Sequence, residues 1–457
     1  LTVMTFLGAG MLSGISAQVS PLQVDTLKET KIPDQWDLQS CIDYAKEQNI
    51  TIRKNRITAV STQIDVKTAK AALFPSLSFS TGHQVVNRPY QETSSRVSGS
   101  EIISSNSKTS YNGNYGLNAS WTLYNGNKRL KTIQQEKLNN QMAELDVATS
   151  ENNIQESIAQ VYIQILYAAE SVKVNENTLQ VSIAQRDRGQ ELLNAGSIAK
   201  SDLAQLEAQV STDRYQLVTA QATLEDYKLQ LKQLLELDGE NEMNIYLPAL
   251  SDENVLAPLP TKKDVYIRAL SLRPEIEASK LNVEASELGI GIAKSSYLPT
   301  ISLSAGIGTN HTSGSDFTFG EQVKNGWNNS IGLSVSVPIF NNRQTKSAVQ
   351  KAKLQYETSM LSLLDEQKTL YKTIEGLWLD ANSAQQRYAA ANEKLKSTQI
   401  SYELISEQFN LGMKNTVELL TEKNNLLQAQ QEQLQAKYMA ILNTQLLKFY
   451  QGDQLAL

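Results

Sequence analysis

The chain of 457 residues has one cysteine, Cys41, so an intrachain disulfide is excluded. Cys41 lies in the stretch WDLQSCIDYAKEQN, where Leu38, Ile42 and Ala45 follow helical spacing, and a core thiol is expected there. Proline and glycine are scarce, at 10 and 22 positions. Glutamine, alanine, leucine and asparagine crowd long proline-free stretches, a composition that favours long helices over a compact α/β fold. The net charge is −6 and no lysine/arginine cluster stands out, so no nucleic-acid partner is expected. Walker, nucleophile-elbow, zincin and Rossmann patterns are all missing, and no enzyme, cofactor or metal site is expected. The two histidines, His83 and His311, lie far apart in sequence with no set of metal-ligand types beside either. The seven methionines are scattered and make no relay.

Long apolar runs are lacking too. Only residues 1–17, LTVMTFLGAGMLSGISA, are apolar and uncharged, and they resemble the later part of a secretory signal peptide with cleavage after Ala17. The usual initiator Met and basic start are absent, so the sequence as given is expected to begin inside that segment. No cysteine follows the cleavage point at once, so no lipid anchor is expected there. Elsewhere no window offers the ~18–20 apolar residues of a spanning helix. If the chain crosses a membrane, it does so with strands.

What is present is written twice. AKAALFPSLSFSTG at 69–82 is answered by AKSSYLPTISLSAG at 293–306. GLNASWTLYNGN at 116–127 is answered by GLSVSVPIFNNR at 332–343, and LNAGSIAKSDL at 193–203 by FNLGMKNTVEL at 409–419. The last two pairs are equally spaced, so the length difference between the halves falls in the hairpin region. This is an internal duplication. Within it Ile154, Ile158, Val161, Ile165, Ala168, Val172, Asn175, Leu179, Ser182 and Arg186 recur at steps of four and three. Leu370, Ile374, Leu377, Ala381, Ala384, Tyr388, Ala391, Leu395, Thr398, Tyr402, Ile405 and Phe409 do the same. A seven-residue repeat sustained this long predicts supercoiled helices packed side by side, one of them running from about 125 to 194. Shorter helices are expected at 50–74 and 273–298, with return helices near 199–237 and 415–449.

Four segments alternate in strand fashion. Leu77, Phe79 and Thr81 oppose serines; Tyr111, Tyr115, Leu117, Ala119, Trp121 and Leu123 oppose Asn, Gly, Ser and Thr. Ile301, Leu303, Ala305 and Ile307 oppose Ser and Gly, as do Ile331, Leu333, Val335 and Val337. These alternating stretches contain no Lys, Arg, Asp or Glu, which is the pattern of an outer-membrane barrel with a neutral-polar interior. Tyr124 and Phe340 are expected in an interfacial girdle. Four strands cannot close, and an open edge in lipid leaves backbone groups unpaired at several kcal/mol each. Two chains would give eight strands, too narrow for an open pore; three give twelve.

Taken in order, the paired LFPS/YLPT strand entries, the LYNGN/IFNNR exits and the turns around Gly196 and Gly412 resemble the TolC family of outer-membrane efflux proteins over nearly all of 36–450. The resemblance implies a mainly α fold with a transmembrane β part: a homotrimer with a 12-stranded barrel in outer-membrane lipid and a long α-helical tunnel through the periplasm. It implies an exit duct of a tripartite efflux or type I secretion system, docked on a periplasmic adaptor (membrane fusion) protein and an inner-membrane transporter. The expected organisation is a signal peptide at 1–17, periplasmic helices at 18–75, a first β-hairpin at 76–124, and a tunnel helix, tip and return helix at 125–246. A linker at 247–264 leads to helices at 265–298, a second hairpin at 299–340, and tunnel helix, tip and C-terminus at 341–457. The alternative is a periplasmic coiled-coil adaptor or stalk.

The resemblance also suggests site residues. The tip turns, Ala195, Gly196, Ser197 and Leu411, Gly412, Met413, would meet the adaptor. Asp202, Phe409, Lys414 and Glu418 would form a periplasmic gate, with Lys414 reaching Asp202. Phe409 stands where the family can have a tyrosine and lacks its hydroxyl; Thr421 falls where a second acid can sit.

Overall fold

A computed structural model describes residues 33–456 apart from 91–93, 99–100, 106–107, 239–242, 249–254, 314 and 316. The expected signal peptide lies outside the described residues. Eight helices repeat their lengths between the halves. The first half has α1 (Leu38–Gln48), α2 (Ile50–Ala71), α3 (Lys128–Asn194) and α4 (Lys200–Leu234), of 11, 22, 67 and 35 residues. The second has α5 (Lys262–Leu272), α6 (Pro274–Ser295), α8 (Gln344–Asn410) and α9 (Thr416–Tyr450), again of 11, 22, 67 and 35. A short α7 (Phe319–Asn325) lies in the second hairpin. At 1.5 Å per residue the two long helices extend about 100 Å each. Among the described residues no helix is long and apolar enough to cross a membrane.

The four alternating segments form β1 (Ser76–Asn87), β4 (Thr109–Asn125), β5 (Thr300–Thr312) and β6 (Asn328–Ser336). They make one antiparallel sheet in the order β1-β4-β5-β6, so the hairpins of the two halves join through β4 and β5. The connection from β1 to β4 carries its own small hairpin, β2 (Ser94–Ser98) with β3 (Glu101–Ser105). One sheet face exposes Leu77, Phe79, Val85, Ile331, Leu333 and Val335. On the other, the serine and asparagine side chains bond across strands: Ser76 with Ser120 at 2.8 Å, and Asn118 with Ser80 at 3.4 Å. A bulge in β4 corrects the simple alternation. The register slips between Thr122 and Tyr124, so Tyr124 rather than Leu123 stands opposite Ile301.

The junction of helix and sheet is fixed by polar ties. Trp121 Nε1 donates to the Leu73 carbonyl at 2.7 Å, and Arg129 donates to the Ala72 carbonyl at 2.7 Å and to that of Thr122. Both exits into a long helix use left-handed residues, Gly126 and Asn127 in one half, Asn342 and Arg343 in the other. At Gly126 a Cβ would lie 2.7 Å from the Ser295 carbonyl, so glycine is required there.

On the heptad stripes Ile158, Ile165, Ala168, Asn175, Leu179 and Ser182 of α3 and Leu370, Ile374, Ala381, Ala384, Tyr388, Ala391 and Phe409 of α8 are buried, and the remaining rungs are half-buried. Between Ile158 and Ala169 the buried face of α3 widens, because α1 joins it there. Trp36, Cys41, Ile42 and Ala45 pack against Ile158, Tyr162 and Ile165, and the Tyr162 hydroxyl donates to the Tyr246 carbonyl at 2.5 Å. The second half has its own cluster of Val265, Ala269 and Ile276 on Leu370, Ile374 and Leu447. Beside it, Arg273 bonds Glu156 at 2.6 Å and lies 3.8 Å from the Tyr450 ring centroid.

Cys41 is fully buried, and burial pushes its thiol up to about 12. The reactive thiolate is therefore withheld at ordinary pH. The folded protein is expected to resist iodoacetamide at pH 8 and to be alkylated only after denaturation, with mass spectrometry as the readout. Rapid labelling of the native protein would contradict the packing of α1 on α3.

Candidate functional site at the helical tip

The long helices end in the same way. At α3, Ser197 N–H donates to the Leu192 carbonyl at 2.8 Å and Gly196 N–H to that of Leu193 at 2.9 Å. At α8, Met413 N–H donates to Gln408 at 2.8 Å and Gly412 N–H to Phe409 at 2.9 Å. This is the Schellman closure, which needs a left-handed residue; both glycines have φ of +74°. Ala195, Gly196 and Ser197 are exposed, as are Leu411, Gly412 and Met413, with Leu411 and Met413 each 70% exposed.

The return helices start differently. Asn415 caps α9 with a full capping box: its side chain accepts the Glu418 N–H at 2.9 Å, and the Glu418 carboxylate accepts the Asn415 N–H at 3.2 Å. Lys414 donates to the same carboxylate at 2.7 Å. The Lys414 hydrogen bond, joined by the Asn415 amide, holds the Glu418 carboxyl below its usual range. At α4 the capping position is Ala199, whose side chain cannot accept, and only Asp202 reaches back, to the Ala199 N–H at 3.0 Å. Within one chain Lys414 and Asp202 thus have separate partners. Phe409 is buried, 3% exposed, in the last turn of α8. Nearby, Gly189 lets α3 and α4 approach closely: a Cβ there would stand 2.4 Å from Leu206 Cδ1.

Deeper in the bundle lies a cluster that sequence reasoning missed. Lys423 of α9 donates to Asp213 of α4 and to Ser182 of α3, and the Ser182 hydroxyl donates to Asp213. Gln209 completes the carboxylate shell at 2.8 Å. The Lys423 and Asp213 side chains are 4% and 1% exposed. Burial pulls the Lys423 ammonium below its usual range, and Asp213 pulls the other way. The signal was a break in the stripes: Asp213 follows Leu203, Leu206 and Val210, and Lys423 stands between Leu419 and Leu426. One level nearer the tip, Gln185 of α3 donates to the Tyr402 hydroxyl of α8 at 2.8 Å. Three helices therefore share the buried ion pair, and the fourth is tied to α3.

Helices about 100 Å long, joined at one end by glycine turns and rooted at the other in a sheet with an uncharged apolar face, define a long helical protein whose β part suits a membrane. Residues 41–236 and 265–452 match the outer membrane efflux protein family, and the chain belongs to it. That membership places it in the outer membrane, extending into the periplasm. The outer membrane efflux protein BepC of Brucella suis is 24% identical over 64% of this chain and 61% of its own length. The outer membrane protein TolC of Escherichia coli is 24% identical over 62% of this chain and 58% of its own length. The matches thus span about three fifths of those two relatives. A solved structure of CusC, described as undergoing transmembrane channel formation, superposes with a TM-score of 0.77 at 19% identity, over 91% of this chain and 92% of that one. A periplasmic stalk, the alternative reading, leaves the four-stranded sheet and this family match without a role.

Proposed function

We propose that the protein is a passive exit duct of a tripartite efflux or type I secretion system, three copies of which share one 12-stranded barrel and one helical tunnel. The observation that carries this reading is the sheet order. Among the described residues the outer strands β1 and β6 each have one edge without a partner, and their apolar side chains are exposed. Lipid cannot satisfy such edges, whereas β6 of one copy pairing with β1 of the next leaves none open. A periplasmic adaptor protein meets the exposed tip turns, Ala195 to Ser197 and Leu411 to Met413, and an inner-membrane transporter supplies the energy. Light scattering in detergent should give the mass of three chains. A single chain soluble without detergent would end the reading.

The gate is assigned to Asp202, Phe409, Lys414 and Glu418. Lys414 is held by Glu418 in its own chain, so its contact with Asp202 is assigned to the closed ring of helices. Asp202→Ala and Lys414→Ala should each raise single-channel conductance in planar bilayers. Each exposed ion pair is worth only about 0–1 kcal/mol, but three symmetric copies act on one opening. Unchanged conductance in both variants would remove the pair from the gate.

A further inference from the structure

The two histidines of the chain, one from each half, come together. His83 of β1 and His311 of β5 both stand opposite Gly113 of β4, one on each side. Their ring centroids are 6.3 Å apart. Tyr111 and Tyr115, two residues either way along β4, complete a diamond of rings around the glycine. His83 stacks on Tyr111 at 5.8 Å and His311 on Tyr115 at 5.9 Å. Phe319 of α7 closes the His311 side, edge-on at 5.0 Å. The cluster lies toward the end of the sheet farthest from the long helices, and His83 shares its face with Leu77, Phe79 and Val85.

Three features distinguish this from ordinary aromatic packing. Gly113 leaves open the space into which the His311 ring leans: a Cβ there would lie 2.2 Å from His311 Cε1 and 2.6 Å from Nδ1. The His311 Nδ1 is shielded from solvent and has no hydrogen-bond partner among the described residues, which is costly for a ring nitrogen. His83 is already oriented, with Nδ1 2.7 Å from the Tyr111 hydroxyl and Nε2 only on the Thr81 hydroxyl at 3.2 Å. An imidazole whose second nitrogen is fixed by a phenol is arranged as metal-ligating histidines commonly are.

We propose that His83 and His311 bind a first-row divalent cation, of the Cu2+ or Zn2+ class, over Gly113. Two imidazole nitrogens at roughly 2.0–2.1 Å from one metal place their ring centroids about 5 Å apart in a tetrahedral shell and about 6.4 Å apart when the rings are opposed, so the observed 6.3 Å matches the opposed arrangement that a tetragonal Cu2+ shell accepts. No third His, Cys or carboxylate joins them among the described residues, so water completes the shell while the Tyr111 phenol stays on His83 Nδ1. Cu2+ binds such a site most tightly in the first-row order. The site lies on the apolar face of the sheet, away from the row of serines and asparagines. It therefore serves as a static brace between the hairpins of the two halves and is separate from any exported cargo. The geometry belongs to one chain and does not depend on how many copies close the barrel.

The test is Cu2+ titration of tag-free, full-length protein in detergent, followed by electron paramagnetic resonance. One Cu2+ per chain with two coordinated nitrogens is expected. His83→Ala and His311→Ala should each weaken binding at least tenfold, and Zn2+ should raise the melting temperature of the parent protein alone. Equal binding by the parent and the doubly substituted protein would overturn the proposal. So would a spectrum showing fewer than two nitrogens in the parent protein, which decides the matter even if a variant misfolds.

Discussion

Lys423→Met is expected to destabilise the folded chain by about 3–5 kcal/mol, because it leaves the Asp213 carboxylate buried with its counter-charge removed. Ser182 and Gln209 still donate to that carboxylate, but two neutral donors do not replace an ammonium in a dry site. Asp213→Leu should cost a similar amount by stranding Lys423. The double variant, Lys423→Met with Asp213→Leu, should recover most of the loss, since an apolar pair of similar volume carries no desolvation cost and can exceed the parent by about 1–4 kcal/mol. Thermal unfolding of the four proteins in detergent closes the cycle. A single-substitution effect below about 1 kcal/mol, with no recovery in the double variant, would mean that the pair is hydrated. Because the cluster joins α3, α4 and α9, the single variants should also loosen the link between the two halves just above the tip.

Ile331→Arg should abolish stable assembly while Ser330→Arg, one residue away on the same strand, is tolerated. Ile331 is 83% exposed and stands in register with Ala305, near the middle of the sheet. An arginine on the lipid face of a barrel costs about 2–4 kcal/mol per chain near the bilayer midplane, and a trimer would pay it three times. Ser330 points to the opposite face, where its hydroxyl lies on the Gly306 carbonyl, so in the proposed closed barrel an arginine there would project into the lumen and should alter conductance instead. Extraction from outer-membrane fractions and heat-modifiable mobility report assembly. Equal tolerance of both substitutions would show that neither face meets lipid.

Much of the fold could be read from particular residues. Along the stripe from Leu370 to Ala391 that a four-three spacing marks as apolar and regular, Leu370, Ile374, Ala381, Ala384, Tyr388 and Ala391 are buried on α8 and Leu377 is half-buried against the same cluster. The uncharged alternation around Phe79, Leu117, Leu303 and Leu333 marked all four strands of the sheet. Glycines 196 and 412 marked both turns, since a left-handed helix end leaves few other choices. These features are local: a period or a single demanding φ is carried by a few adjacent side chains.

The candidate sites were less legible. Lys414 and Glu418, four residues apart on one helix, are paired as local geometry dictates, while Asp202 turns to its own helix start. Asp213 and Lys423 interrupt apolar stripes on different helices, and only their meeting explains either interruption. The bulge that moves Tyr124 opposite Ile301 follows from cross-strand register, which no single strand contains.

The sequence by itself determined the elements, their duplication and the charge-free faces, because helical and strand periods and cap preferences act between near neighbours. Only the tertiary structure decided which distant groups share a space: the ion pair of Lys423 and Asp213 inside the bundle, and His83 with His311 across Gly113. Such contacts depend on how helices are rotated and strands ordered, and those are fixed when whole apolar faces are buried together rather than by any residue's own neighbours.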